Sequence, residues 1–258
     1  MNNKIKKILK KKNKSKIVCL TAYSKNIAEI VDDHADIVLV GDSLGSVLYN
    51  YDTTRKVSLN MMIEHTKSAR MGVKKSLLVI DLPYNTYRNK SEALKNSKRS
   101  IKETKCDAVK VEGGTRVKEI VKHLVKNRIP VLGHIGVTPQ TTKGKFRSKG
   151  KNESEKRKLL KDAEDLEQSG AFGIVLECIY SDISKQITNS INIPTIGIGA
   201  SVNCDGQVLV TDDLIGLNET KFRFVKKFGN IKKNIKGAII KYKNSVKQKK
   251  FPSKKNSY

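Results

Sequence analysis

The sequence predicts an α/β chain closed into a (β/α)8 TIM barrel, and three observations carry that expectation. Eight short runs rich in Val, Ile and Leu recur along the chain. Segments with helical apolar spacing separate most of them, the alternation that a parallel sheet covered by helices requires. Several runs end in one polar group, namely Asp42, Asp81, Glu112, His134 and Glu177. In a closed barrel the C-terminal strand ends share one mouth, so these groups converge. A doubly wound open sheet is the competing arrangement, because a strand count alone does not establish closure. A length of 258 residues suits one barrel with a full core.

Residues 4–12 read as a short basic helix with Ile5, Ile8 and Leu9 at helical spacing, and 17–21 as the first strand. Ser24 is placed to cap a helix reaching His34, with Ile27, Ile30 and Val31 facing inward. The second strand ends at Asp42, and Ser43-Leu-Gly45 follows as a turn that lets backbone approach a ligand. A polar loop over 49–56 leads to a helix over 58–71. The third strand ends at Asp81-Leu-Pro83, where proline forces the chain out of the sheet. Ser91 and Glu92 open the next helix.

The fourth strand, in 107–114, places Lys110 and Glu112 on one face and Val109 and Val111 on the other. Two charges on a buried strand require pairing or a ligand. A helix over 115–127 follows. Pro130 opens a fifth strand ending at His134, continued by Ile-Gly-Val-Thr-Pro-Gln140. Residues 141–152 are rich in Lys, Gly and Ser and read as a loop. A helix over 153–169 closes at Gly170. The sixth strand ends at Glu177, a helix spans 182–189, and the last two strands are 194–199 and 206–210. Ile231, Ile235, Ile239 and Ile240 keep helical spacing in a lysine-rich tail. The expectation is one domain over 1–258, with basic termini at 1–16 and 221–258.

The net charge of +27 is unevenly placed. Residues 1–16 hold eight lysines and no acid, and 221–258 hold thirteen lysines and Arg223 with no acid, so the termini carry 22 of those charges. Nucleic-acid readers favour arginine and aromatic platforms. Here only nine of 52 basic residues are Arg, aromatics are 5% and Trp is absent, which argues for solvated lysine faces over specific nucleic-acid recognition. A basic protein binding nucleic acid through its tails is the non-enzymatic alternative. No apolar run approaches the length of a membrane span, and no apolar segment follows the basic N-terminus as a secretory signal needs. The cytoplasm is the expected location. Cys19, Cys106, Cys178 and Cys204 lack any Cys-x-x-Cys or zinc-like spacing.

Gly197-Ile-Gly199 follows a strand but lacks the third glycine of a dinucleotide fingerprint. No phosphate-binding Gly-x-x-x-x-Gly-Lys loop and no Gly-x-Ser-x-Gly elbow is present. Asp42, Asp81 and Glu112 close three successive strands. Any one alone reads as a helix cap, but three together with Lys110 point to a hard divalent cation such as Mg2+. Glu177 closes an apolar strand, a position suited to a general base. His134 is a further candidate, equally consistent with a hydrogen-bonded structural group.

Six stretches in order resemble the ketopantoate hydroxymethyltransferase family. They are Val-Gly-Asp42-Ser-Leu-Gly, Asp81-Leu-Pro, Val109-Lys-Val-Glu-Gly-Gly114, Gly133-His-Ile-Gly-Val-Thr-Pro-Gln140, Val175-Leu-Glu-Cys178 and Gly197-Ile-Gly-Ala200. The resemblance implies a barrel of the phosphoenolpyruvate/pyruvate type. It implies transfer of a hydroxymethyl group from 5,10-methylenetetrahydrofolate to 3-methyl-2-oxobutanoate through a Mg2+-stabilised enolate, giving 2-dehydropantoate and tetrahydrofolate in pantothenate synthesis. It further implies Mg2+ on Asp42, Asp81 and Glu112, keto acid held by Asp42, Ser43, Asp81 and Lys110, Glu177 as proton acceptor, and a cytoplasmic homodecamer. Another Mg2+-dependent keto-acid lyase or aldolase on the same barrel is the alternative among enzymes. The chain departs from the family pattern at Ser201, where Gly is usual, at Gly144-Lys-Phe146, where a Gly-Gly-aromatic run is usual, and at Asp212-Asp213, where His-Asp is more common. Ser201 is therefore a further candidate position.

Overall fold

The computed structural model describes residues 2–142, 147–219 and 222–258. Eight strands, β1 (Ile17–Thr21), β2 (Ile37–Val40), β3 (Leu77–Asp81), β4 (Ala108–Glu112), β5 (Val131–Gly136), β6 (Gly173–Glu177), β7 (Thr195–Ile198) and β8 (Gly206–Leu209), pair in parallel and in sequence order. β8 returns to β1, so the sheet is a closed barrel. The helices are α1 (Asn3–Lys10), α2 (Lys25–Asp32), α3 (Leu44–Tyr49), α4 (Leu59–Gly72), α5 (Lys90–Thr104), α6 (Lys118–Lys126), α7 (Glu153–Gln168), α8 (Ser181–Ser190), α9 (Thr211–Leu214) and α10 (Ile231–Lys247). The chain divides into two compact units, Met1–Val210, which holds the whole barrel, and Thr211–Tyr258, which holds α9 and α10.

Alternation along the strands splits the apolar residues into two clusters. Val38, Val40, Leu78, Ile80, Val109 and Val111 pack outward with helix residues such as Met62, Val121 and Leu166. Ile37, Leu39, Leu77, Val79, Ala108, Leu132, Val175 and Ile196 form the interior cluster, joined by Ile5 and Ile8 of α1. The N-terminal helix therefore plugs the bottom of the barrel with its apolar face.

The bottom rim is held by carboxylates. Asp36, Asp107 and Asp205 immediately precede β2, β4 and β8, and each accepts a backbone N–H from a neighbouring strand, from Val18 (3.0 Å), Leu78 (2.9 Å) and Thr195 (2.9 Å). The N-terminal lysines complete them. Lys11 pairs with Asp36 (2.6 Å), Lys4 with Asp107 (3.4 Å) and Lys12 with Asp205 (2.9 Å). Part of the basic N-terminus is thus fixed to the barrel floor and is not simply a solvated face.

Several boundaries shift for local reasons. Ile30 points to solvent at 65% exposure, and Ala28 with Val31 forms the inner face of α2. Ser24 occupies the N-cap position of that helix without a side-chain cap bond. The helix expected to open at Ser91 begins at Lys90, because Asn89 caps it by accepting the Glu92 N–H (2.9 Å) while Glu92 accepts the Arg88 N–H (2.9 Å). The expected helix over 115–127 divides into a 3-10 turn, Thr115–Val117, and α6. A 3-10 turn, Thr54–Lys56, occupies the polar loop before α4. Gly144, Lys145 and Phe146 lie outside the described residues. All four cysteines are free. Among the described residues no helix is long and apolar enough to cross a membrane.

The buried Asp205 carboxyl sits below its ordinary value. Burial opposes ionisation, but the N–H groups of Thr195 and Asn13 and the Lys12 ammonium outweigh it. A depressed folded-state value means this stabilisation is complete above the unfolded carboxylate value near ~4 and is lost as pH falls through the folded one. Asp205→Asn is expected to cost about 2 kcal/mol at pH 7. Urea unfolding between pH 3 and 7 should show that difference shrinking towards the acid end.

Candidate active site

The inward face of each strand changes character along its length. On β4 it runs Ala108, Lys110, Glu112, and on β3 Leu77, Val79, Asp81. On β5 Leu132 precedes His134, and on β6 Val175 precedes Glu177. Apolar residues fill the lower barrel and polar ones crown it at the C-terminal ends, where barrel sites are built. Parallel register then fixes neighbours, setting Asp81 beside Lys110, Glu112 beside His134 and Gly136 beside Glu177.

These neighbours are in contact. Lys110 Nζ lies 3.0 Å from Asp81 Oδ2, with both side chains buried. His134 Nδ1 lies 3.5 Å from Glu112 Oε1. Its Nε2 lies 3.2 Å from Glu177 Oε2, an ion-pair contact not aligned as a hydrogen bond. Asp42 and Ser43 reach the mouth in the turn between β2 and α3. The Asp42 N–H donates to Asp81 Oδ2 (3.0 Å), and Ser43 Oγ lies 2.9 Å from the Tyr23 hydroxyl. Asp42, Ser43, Asp81, Lys110, Glu112, His134 and Glu177 are therefore brought together. Ser201 is not part of that set. It is buried in the β7–β8 connection and bonds to Ser181, Asn203 and Gln207.

Four carboxylates face one lysine and one histidine, and burial sharpens the imbalance. Burial pushes Asp42 well above its ordinary value, and the charges of Asp81 and Glu112 push it further. Asp81 is also raised by burial, although Lys110 opposes this. Burial works against the Lys110 charge, yet Asp81, Glu112 and Asp42 outweigh it and hold the ammonium protonated. Burial and the nearby Lys110 charge disfavour protonation of His134, but contacts with Glu112 and Glu177 raise it to about 9. Glu112 is lowered, because His134 and Lys110 overcome its burial. Among the described residues Asp81 Oδ1 is buried with no hydrogen-bond partner. Such an atom is costly unless a ligand meets it. Among the described residues no three His, Cys, Asp or Glu groups form a ready-made metal cage.

A buried amide that sequence reasoning passed over completes the site. Gln140, four residues beyond the end of β5, donates from Nε2 to Asp42 Oδ2 (2.8 Å) and to the Leu82 carbonyl (3.0 Å), and its backbone N–H donates to Glu112 Oε2 (3.0 Å). Tyr87 donates to its Oε1 (2.5 Å), and Arg55 Nε donates to its carbonyl (2.9 Å). In the sequence Gln140 closes the stretch Gly133-His-Ile-Gly-Val-Thr-Pro-Gln140, just past a polar strand end, but nothing there assigned it a role.

The sequence model of the ketopantoate hydroxymethyltransferase family matches residues 2–254. This chain belongs to that family. It is 61% identical over 258 residues, all of both chains, to the 3-methyl-2-oxobutanoate hydroxymethyltransferase of Pelagibacter ubique (strain HTCC1062). It is 46% identical over 246 residues to the protein of that name from Rhizobium etli, covering 94% of this chain and 90% of the relative. The protein of that name from Clostridium botulinum is 45% identical over 264 residues, covering 100% of this chain and 96% of the relative. Solved structures of similar fold include phosphonopyruvate hydrolase in complex with oxalate and Mg++ (TM-score 0.62, 10% identity, 99% of this chain and 93% of that one). Another is phosphoenolpyruvate phosphomutase from Streptomyces platensis subsp. rosaceus (TM-score 0.63, 9% identity, 95% and 87%). At those identities the likeness is one of fold. The chain is thus an enzyme, a hydroxymethyltransferase of this family, on a closed eight-stranded parallel barrel.

In this hydroxymethyltransferase Gly136 sets how closely β5 approaches Glu177. Its φ is +99°, and a Cβ there would lie 2.2 Å from the Glu177 carbonyl oxygen. Gly136→Ala is expected to cost about 2 kcal/mol or more, from left-handed strain and displaced backbone. Urea unfolding reads the loss, and a melting profile equal to wild type would count against the close packing described.

Proposed function

We propose that this enzyme transfers a hydroxymethyl group from 5,10-methylenetetrahydrofolate to 3-methyl-2-oxobutanoate, giving 2-dehydropantoate and tetrahydrofolate, with Glu177 as the proton acceptor. The observation that carries the reading is the division of labour among the carboxylates. Asp42, Asp81 and Glu112 are buried on one side of the mouth with Lys110, while Glu177 is the most exposed, at 19% for its side chain. Two jobs are separated, holding a charged substrate and moving a proton.

The residues fit Mg2+. The donors are hard carboxylate oxygens, Asp81 Oδ1 has no partner among the described residues, and burial together with the charges of Asp81 and Glu112 raises Asp42, which a cation would relieve. His134 turns its two nitrogens to Glu112 and Glu177 and stands outside this donor set. The absence of a three-residue cage among the described residues suits an ion that binds one or two carboxylates and fills its remaining positions with water and substrate. Asp42 and Asp81 would hold it, with Glu112 completing the carboxylate wall. Bound there, Mg2+ supplies Lewis acidity toward the oxygens of an α-keto acid.

The chain's own groups do the rest. Lys110 offsets the substrate carboxylate charge, and the Ser43 hydroxyl, braced by Tyr23, offers a hydrogen bond beside it. Glu177 takes the C3 proton. The C–H electron pair moves into the C2–C3 bond, and the negative charge goes to the C2 oxygen. C3 then bonds to the one-carbon unit, the methylene carbon–nitrogen bonds of the folate break, and water supplies the hydroxyl oxygen. His134 flanks Glu177 Oε2 and fixes where that carboxylate points. We place the enzyme in the cytoplasm as a homo-oligomer, a decamer by family resemblance.

Glu177→Gln tests the base. Exchange of the C3 proton of 3-methyl-2-oxobutanoate in D2O with Mg2+, followed by NMR, is expected to fall about 10²- to 10⁴-fold in the variant. Turnover with methylenetetrahydrofolate should fall with it. Wild-type exchange rates in a folded Glu177→Gln protein would remove Glu177 from the role.

A further inference from the structure

We infer that Gln140 is a positioning residue that sets the Asp42 and Glu112 carboxylates relative to each other; this rests on the reading of those groups as the cation-holding wall. Gln140 is 1% exposed, and each of its polar groups has a partner. Its orientation follows from chemistry. The Leu82 carbonyl can only accept, so the side-chain NH2 must face it, and its second N–H then points to Asp42 Oδ2. The opposite end, Oε1, must then accept, and it takes the Tyr87 hydroxyl proton at 2.5 Å. Tyr87 Oη in turn accepts the Glu112 N–H at 3.3 Å. The Gln140 N–H donates to Glu112 Oε2.

The bonds close a ring, from the Glu112 main chain through Tyr87 to the Gln140 side chain and back from the Gln140 main chain to the Glu112 carboxylate. A branch of that ring ends on Asp42 Oδ2. One residue therefore fixes one oxygen of each of two carboxylates that arrive on different strands, 70 positions apart in sequence. Flipping the amide would set its oxygen against the Leu82 carbonyl and its NH2 against the Tyr87 proton, so the ring has one arrangement. Fixing Oδ2 of Asp42 also decides which oxygen is left for a ligand. Outer hydrogen bonds of this kind tune ligating carboxylates. Arg55, which holds the Gln140 carbonyl and stacks over Tyr84 at 5.1 Å to the ring centroid, ties the same residue to the loop before α4.

The test is Mn2+ binding to metal-free enzyme, read by the electron paramagnetic resonance of free Mn2+, for wild type, Gln140→Met, Tyr87→Phe and Asp81→Asn. Methionine keeps the length and removes every side-chain hydrogen bond. Gln140→Met is expected to bind Mn2+ about 10- to 100-fold more weakly. Its apparent Mg2+ requirement in turnover should rise in step, while kcat at saturating Mg2+ falls much less. A residue that only supported the fold would lower the melting temperature and leave Mn2+ affinity of the folded protein unchanged. Affinity within twofold of wild type in folded Gln140→Met overturns the inference. If that variant does not fold, Tyr87→Phe decides, with several-fold weaker binding expected and unchanged binding overturning it. Asp81→Asn separates the two readings. If it binds Mn2+ like wild type, or wild type binds none, the cation reading of the wall fails and takes this one with it. Weak binding by Asp81→Asn beside normal binding by Gln140→Met removes Gln140 alone.

Discussion

The Lys110–Asp81 pair is the interaction on which the mouth of this barrel depends. Both groups are almost completely removed from water and sit 3.0 Å apart on adjacent strands. Withdrawing two such charges from water opposes folding by several kcal/mol for each ion, and attraction offsets this only when the geometry is good and the remaining polar atoms are satisfied. Here satisfaction is incomplete. Asp81 Oδ2 receives Lys110 and the Asp42 N–H, whereas Oδ1 receives nothing. The pair is anchored by an apolar lower barrel that admits no slip in register, since a one-residue shift would turn Lys110 outward into the helices and Val109 or Val111 into the mouth.

The two ends of the barrel use the same residue type for opposite purposes. At the bottom Asp36, Asp107 and Asp205 each accept a strand N–H and meet a lysine from the N-terminal segment. Their bonding supports structure, and Asp205 is accordingly depressed. At the top Asp42 and Asp81 are raised, because burial and mutual charge outweigh what their partners return. An aspartate at a strand terminus is therefore not informative by itself. The difference lies in its neighbours: donors on its oxygens hold Asp205 down, whereas burial and nearby carboxylate charge raise Asp42 and Asp81.

This contrast explains what could be read from the sequence. The strands and the polar groups at their ends, Asp42, Asp81, Glu112, His134 and Glu177, were legible from apolar runs a few residues long, whereas closure of the sheet, expected from the number of alternating strands and helices, is settled by the β8–β1 pairing. Lys110 and Glu112 were legible because alternation and burial force the question of their partners. Gln140, Tyr87 and Arg55 were not, because no local rule links them. Their decisive contacts join positions 98, 53 and 85 residues apart in sequence and depend on how loops settle over the mouth. Helix details failed for smaller reasons. Ile30 satisfies helical spacing but falls at the edge of the apolar arc, and Asn89 was a cap as good as Ser91 two residues earlier. Ser201 was singled out as a departure from the family pattern, and its bonds run to Ser181 at the start of α8 and to Asn203 within the β7–β8 connection.

Exposure separates the carboxylates further. Asp42, Asp81 and Glu112 are each 5% exposed or less, with hydrogen bonds from backbone or amide donors on at least one oxygen, the rigidity that the proposed cation-holding role would require. A base must meet carbon-bound hydrogen on the substrate and later release the proton it takes. Glu177, at 19% side-chain exposure, has one protein neighbour at Oε2, His134, and that contact is unaligned. It is thus directed but not saturated. His134 bridges the two groups, touching Glu112 on one nitrogen and Glu177 on the other. A cation settling on the buried wall would change the charge felt by Glu112 and, through the one imidazole, by Glu177. The buried wall and Glu177 are thus joined through one imidazole, set in place because β5 lies between β4 and β6 in the closed sheet.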